Sequence, residues 1–165
     1  MWLWSAALVF VTISLHVAGI TAITRGLRTF WSDDVDRRFT YLASSPGVIG
    51  IIVAAALTLA VLHGIECIAW AGAYLKTGAL ATSSDAMLYS VGSMTTRGAS
   101  DLTPKPEWRL MGAIEAGDGM LLFGLSTAFL FSVMLRLWRM SSPLSLQPRR
   151  GQARAQRDRE PSNDA

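Results

Sequence analysis

Between two long apolar segments lies the run Met87-Leu-Tyr-Ser-Val-Gly-Ser-Met-Thr-Thr-Arg-Gly-Ala-Ser-Asp101. It is too short and too interrupted to cross a bilayer, which takes roughly 20 consecutive apolar residues in a helix. A hydroxyl pair, Thr95 and Thr96, leads through Arg97 into the small residues Gly98, Ala99 and Ser100, closed by Asp101 and Pro104. The pattern predicts a half-helix over residues 86–94 entering the membrane, then irregular backbone returning to the same side. Irregular backbone at membrane depth is tolerated only where it is buried in protein or lines a watery cavity. The stretch therefore implies a pore.

Of the 165 residues, 51% are hydrophobic and only 16% are charged, where a soluble domain carries roughly 25% charged residues. Mean hydropathy is +0.34, and three segments are long enough to span a membrane. The fold class expected is an all-α membrane protein with three transmembrane helices and a re-entrant pore helix and filter loop between the second and third. It divides into a first transmembrane helix (1–24), a cytoplasmic loop (25–45), a pore module (46–138) and a disordered basic cytoplasmic tail (139–165). The net charge of +3 comes largely from arginines near the membrane ends, which speaks to topology and not to nucleic-acid binding. Cys67, the single cysteine, lies in an apolar segment with no metal-ligand spacing around it. It reads as a small buried apolar residue.

The first segment, residues 2–24, is interrupted only by His16. A signal peptide competes with an uncleaved span, but no basic residue precedes the apolar run, and the span is favoured. Arg25, Arg28, Arg37 and Arg38, mixed with Asp33, Asp34 and Asp36, place the first loop inside and the N-terminus outside. Pro46 opens the second span, where its missing N–H has no partner to lose. His63, Glu66 and Trp70, spaced three and four apart, share one helical face. Two readings stand: a polar cluster bordering the pore module, or a His–Glu pair anchoring helix to helix, with the anchor favoured. No metal is expected, because His63 and Glu66 alone lack further ligands.

Ser83, Ser84 and Asp85 read as the start of the short helix. In the third span, residues 108–138, Glu115 and Asp118 lie three apart among Gly112, Gly117, Gly119 and Gly124. The glycines allow either close helix approach or a bend, and the acidic pair either faces water or bonds to the re-entrant segment. Arg149, Arg150, Arg154, Arg157 and Arg159 make the tail basic, so the C-terminus is expected in the cytoplasm. The tail either contacts anionic lipid or is simply solvated. No span carries the spaced arginines of a voltage sensor.

The order span, short helix, Thr95-Thr96-x-Gly98-x-x-Asp101, span resembles the pore module of the potassium channel superfamily. It looks most like the small bacterial ion channels of two-pore-domain type. The resemblance runs from about Pro46 to Leu137. It also rests on His63-x-x-Glu66, Trp70, Tyr74, Gly78, Leu88-Tyr89-Ser90, Trp108-Arg109, Glu115 and Gly124-x-Ser126-Thr127. It implies a homotetramer in the bacterial inner membrane that conducts potassium or another monovalent ion passively, with no cofactor and no enzymatic activity. The ion pathway it implies is Thr95, Thr96, Arg97, Gly98, Ala99, Ser100 and Asp101, with His63, Glu66, Glu115 and Asp118 as polar support inside the membrane.

In that family the backbone carbonyls of Thr-Val-Gly-Tyr-Gly replace the water around potassium. The corresponding run here is Thr96-Arg97-Gly98-Ala99-Ser100. Arg97 replaces a valine that packs behind the filter, so it needs an acidic partner, with Asp85, Asp101, Glu115 and Asp118 as the candidates. Ala99 removes an aromatic brace, and Ser100 adds a Cβ where glycine's conformational freedom is used. Selective potassium conduction is therefore not implied. Three outcomes stay open: poorly selective cation conduction, anion conduction with Arg97 turned inward, or a non-conducting scaffold or regulatory subunit. An enzyme finds no nucleophile–base pair or metal set to support it.

Overall fold

The computed structural model describes residues 2–30, 46–98 and 101–141. The rest of the expected cytoplasmic loop, Ala99, Ser100 and the basic tail beyond Ser141 lie outside the described residues. Among the described residues every regular element is helical: α1 (Trp2–Phe30), α2 (Pro46–Lys76), α3 (Ser83–Met94) and α4 (Arg109–Ser141), the last entered through a 3-10 turn at Pro106–Trp108. Three stretches are long and apolar enough to cross a membrane: Trp2–Arg28, Gly47–Lys76 and Pro106–Trp138. In hydrocarbon such segments have little choice but helix, since no water is present to satisfy the backbone. α1 runs on past Thr24, where the apolar sequence ends, and carries Arg25 and Arg28 in its last turns.

Named contacts set the directions of the helices. His16 of α1 meets Glu66 of α2, and the Lys76 ammonium lies 5.3 Å from the centre of the Trp4 ring, so α1 and α2 are antiparallel. Trp70 pairs with Asp118 and Tyr74 with Glu115, so α2 and α4 are antiparallel as well. α3 follows α4 in the same direction, with Ser90 bonded to Glu115 and Met94 seated on Gly119. Trp70, Tyr74, Met94, Met111 and Leu122 form the buried core between α2, α3 and α4. A smaller cluster around Val133 and Leu137 closes the opposite end against Leu27 and Val48. Large apolar side chains such as Phe10, Ile49, Val61, Met120 and Phe131 point outward, as lipid or neighbouring chains require.

The turn after α2 is a Schellman motif. Ala79 N–H donates to the Tyr74 carbonyl at 2.9 Å and Gly78 N–H to that of Leu75 at 3.0 Å. The motif needs a left-handed residue, and Gly78 supplies it at φ +67°. α3 then begins at Ser83, with Thr82 as its cap: the Thr82 hydroxyl accepts the Asp85 N–H at 3.1 Å. The expected starting residues Ser83 to Asp85 form the first helical turn, where Asp85 complements the positive end of the helix. At 12 residues, α3 is about 18 Å long, well short of a 30 Å hydrocarbon layer. The chain then doubles back, and Lys105 N–H donates to the Ala79 carbonyl at 3.3 Å. The excursion from Ala79 to Lys105 thus starts and finishes at the same end of the long helices.

Candidate functional site

The chain curls tightly over the end of α3. Thr95 N–H reaches the Val91 carbonyl at 3.1 Å, Thr96 N–H that of Ser93 at 2.9 Å, and Gly98 N–H that of Gly92 at 2.9 Å. The curl needs left-handed backbone at Thr96 (φ 57°) and Gly98 (φ 72°). For glycine this is free, while for a β-branched residue it costs on the order of 1–2 kcal/mol. Thr95, Thr96, Arg97 and Gly98 are all exposed on the single chain. Thr95, Arg97 and Gly98, with Gly92 and Asp101, line an open cleft of about 190 Å³. Met94, just before them, rests on Gly119, roughly 15 Å along α4 from Arg109 at 1.5 Å per residue. An exposed, polar, irregular run therefore sits well inside the length of a helix long and apolar enough to span a membrane.

Behind it, Glu115 is fully buried. It accepts the Tyr74 hydroxyl at 2.6 Å and the Ser90 hydroxyl at 2.5 Å, which ties α2, α3 and α4 at one point. The Ser90 oxygen also lies 3.0 Å from the Cys67 carbonyl, and the Cys67 thiol approaches the Met94 sulfur at 3.5 Å. The Tyr74 and Tyr89 rings meet edge to face at 5.1 Å. One turn deeper, Asp118 accepts the Thr12 hydroxyl at 2.6 Å and the Trp70 indole N–H at 3.2 Å, joining α1 and α2 to α4. The acidic pair thus divides its work: Glu115 holds the re-entrant helix, and Asp118 holds α1.

Arg97 departs from the sequence expectation of an acidic partner. It is exposed and forms no ion pair among the described residues. Glu115 and Asp118 are occupied by the Tyr74, Ser90, Thr12 and Trp70 donors. Asp101 shares the cleft with Arg97 without pairing with it, and Asp85 stands at the far end of α3.

His63 and Glu66 lie in a third polar layer, away from the cleft. Glu66 Oε1 is 2.8 Å from His16 Nδ1, and Glu66 Oε2 is 3.1 Å from His63 Nδ1. On the far side of both rings stands Ser126, whose Oγ is 3.0 Å from His16 Nε2 and 3.1 Å from His63 Nε2. Phe123 stacks on His63 at 4.2 Å. His63 and Glu66 both belong to α2; the contact to α1 is made by His16 with Glu66, and Ser126 brings in α4. The residue that sequence reasoning missed is His16. Its only signal was that it is the one ionisable residue in the first apolar segment.

Of the glycines on α4, Gly112 and Gly119 serve close approach to α3, while nothing lies within 4 Å of a Cβ built at Gly117 or Gly124. α4 continues as one helix through all four.

Three spanning helices, with a short helix and an exposed polar loop entering and leaving at one end, define a channel-type membrane protein. The family described as ion channel matches residues 48–136, more than half of the chain, and the protein belongs to that family. α1 lies outside the matched region. No curated protein and no solved structure matches the chain.

Proposed function

We propose that the protein is a passive ion channel of four copies, with the run from Thr95 to Ser100 lining the ion path at the common axis. The observation that carries this reading is the exposure of Thr95 to Gly98 next to Met94, which rests on Gly119 about 15 Å along the apolar helix α4. A guanidinium facing lipid there costs at least about 2.5–3.5 kcal/mol on insertion scales, and unpaired loop backbone adds to that. Neighbouring copies and water at a shared axis remove both costs. One re-entrant segment per chain cannot enclose a path by itself, and the resemblance to potassium channels supplies the number four.

The permeant species is a monovalent ion. The C-terminal end of α3 carries about half a negative charge, and four such ends favour a cation at the axis. Arg97 opposes this, so potassium selectivity is not expected to survive. In this reading the protein lies in the bacterial inner membrane with the N-terminus outside and the basic tail in the cytoplasm, where the tail either contacts anionic lipid or is solvated. A second reading, a non-conducting channel-like scaffold or regulatory subunit, is favoured by Arg97 itself: four arginines near one axis raise the barrier to any cation. Flux into proteoliposomes holding the assembled protein, measured for potassium, sodium and chloride in turn, separates the two. Flux of at least one ion supports the channel, and silence for all three supports the scaffold.

A further inference from the structure

The chain has two histidines. They sit on different helices, yet both reach the carboxylate of Glu66. One donor atom from each of His16, His63 and Glu66 lies within 4.8 Å of the other two. His16 and Glu66 are fully buried and His63 nearly so. Even so, His63 Nδ1 and Glu66 Oε2 find no hydrogen-bond partner among the described residues, although they are 3.1 Å apart. They are close but not aligned for an N–H···O bond. Asp118 Oδ1, also buried, is left without a partner as well.

Counting hydrogens shows what the cluster lacks. With Glu66 ionised and both rings neutral, His16 Nδ1–H donates to Glu66 and His16 Nε2 accepts the Ser126 hydroxyl. Ser126 then accepts His63 Nε2–H, which leaves His63 Nδ1 as a bare lone pair facing a carboxylate oxygen. In this tautomer a positively charged lone-pair acceptor, either a proton or a metal ion, is missing at that spot. If an ion takes the Nδ1 lone pairs of both rings and a Glu66 oxygen, each ring carries its hydrogen on Nε2. The Ser126 oxygen, with two lone pairs, receives both. An outer hydrogen bond to the second ring nitrogen is the usual support of a metal-bound histidine.

We propose that His16, His63 and Glu66 bind one divalent transition-metal ion of the zinc class inside the membrane, clamping α1 to the channel module. Two imidazoles and a carboxylate suit zinc and its neighbours, whereas magnesium and calcium take oxygen ligands. The double charge offsets the buried carboxylate of Glu66. Because α1 is outside the family match at 48–136, the ion stands at the junction of this added helix with the module. The site is independent of whether the pore conducts.

The test uses the full chain, free of any histidine tag, stripped with chelator in detergent. The protein is then equilibrated with zinc and counted for bound metal. One ion per chain is expected, together with a rise in melting temperature on adding zinc. Glu66→Gln and His63→Gln should each lose the ion, Ser126→Ala should weaken binding roughly 10–100-fold, and Cys67→Ser should keep it. Cobalt in place of zinc should give the parent, but not Glu66→Gln, a visible absorption band. Parent protein that binds no zinc and shows no melting shift overturns the proposal without any variant, and means that a proton or water fills the gap. Zinc retained equally by Glu66→Gln and His63→Gln is an adventitious ion only, and overturns it too.

Discussion

Gly119 of α4 lies so close to the backbone carbonyl of Met94 at the end of α3 that a Cβ at 119 would overlap the oxygen. The atom in the way is main chain, so it yields only by moving the end of α3 and the loop it carries. Gly119→Ala gains up to about 1 kcal/mol of helix propensity, but overpacking costs roughly 1–3 kcal/mol, so a net loss of stability and of flux is expected. Gly112→Ala meets the hydroxyl end of the Tyr89 side chain instead, which can swing aside. Its cost should be the smaller of the two. Thermal unfolding of both variants in detergent orders them.

Glu115 concentrates the support of α3, because Tyr74 and Ser90 both donate to it. Glu115→Ala leaves the buried Tyr74 hydroxyl without this acceptor, at about 1–3 kcal/mol for the unsatisfied group, while Ser90 can still donate to the Cys67 carbonyl. Glu115→Gln keeps an acceptor and should cost less. In a double-mutant cycle with Tyr74→Phe the effects should be non-additive, since removing either partner already breaks the same bond. Strict additivity in melting experiments would show that the Tyr74–Glu115 bond carries no coupling.

The curl after α3 makes a prediction of opposite signs at two neighbouring positions. Gly98 sits at φ 72° and Thr96 at φ 57°. Gly98→Ala introduces a strain of about 1–2 kcal/mol and Thr96→Gly relieves about as much. Helix content by circular dichroism should be unchanged in both, while Gly98→Ala lowers the melting temperature and Thr96→Gly raises it.

The short helix was legible because its apolar run stops at Met94, far below spanning length, and the Thr-Thr pair follows at once. The spacing of Glu115 and Asp118 put both on one side of α4, but it did not say which neighbour each would find. That depends on helix register, which arises only when α2 and α3 dock: Tyr74 reaches Glu115, and Trp70 reaches Asp118. His16 illustrates the same limit. A lone histidine in an apolar span has no partner until α1 lies against α2, and its distance from Glu66 along the chain hides the contact. For Arg97 the sequence supplied four candidate acids, and two of these are taken by neutral donors that local spacing does not reveal.

The central claim is that ions pass through the run from Thr95 to Ser100, with Arg97 deciding which. Single-channel recording in planar bilayers tests it most directly, with the parent compared to the combined variant Arg97→Val, Ala99→Tyr and Ser100→Gly. Potassium-selective unitary currents are predicted for the variant, with a reversal potential shifted toward potassium relative to the parent. A variant that assembles as a tetramer yet stays silent, or whose currents match the parent's, would contradict the account.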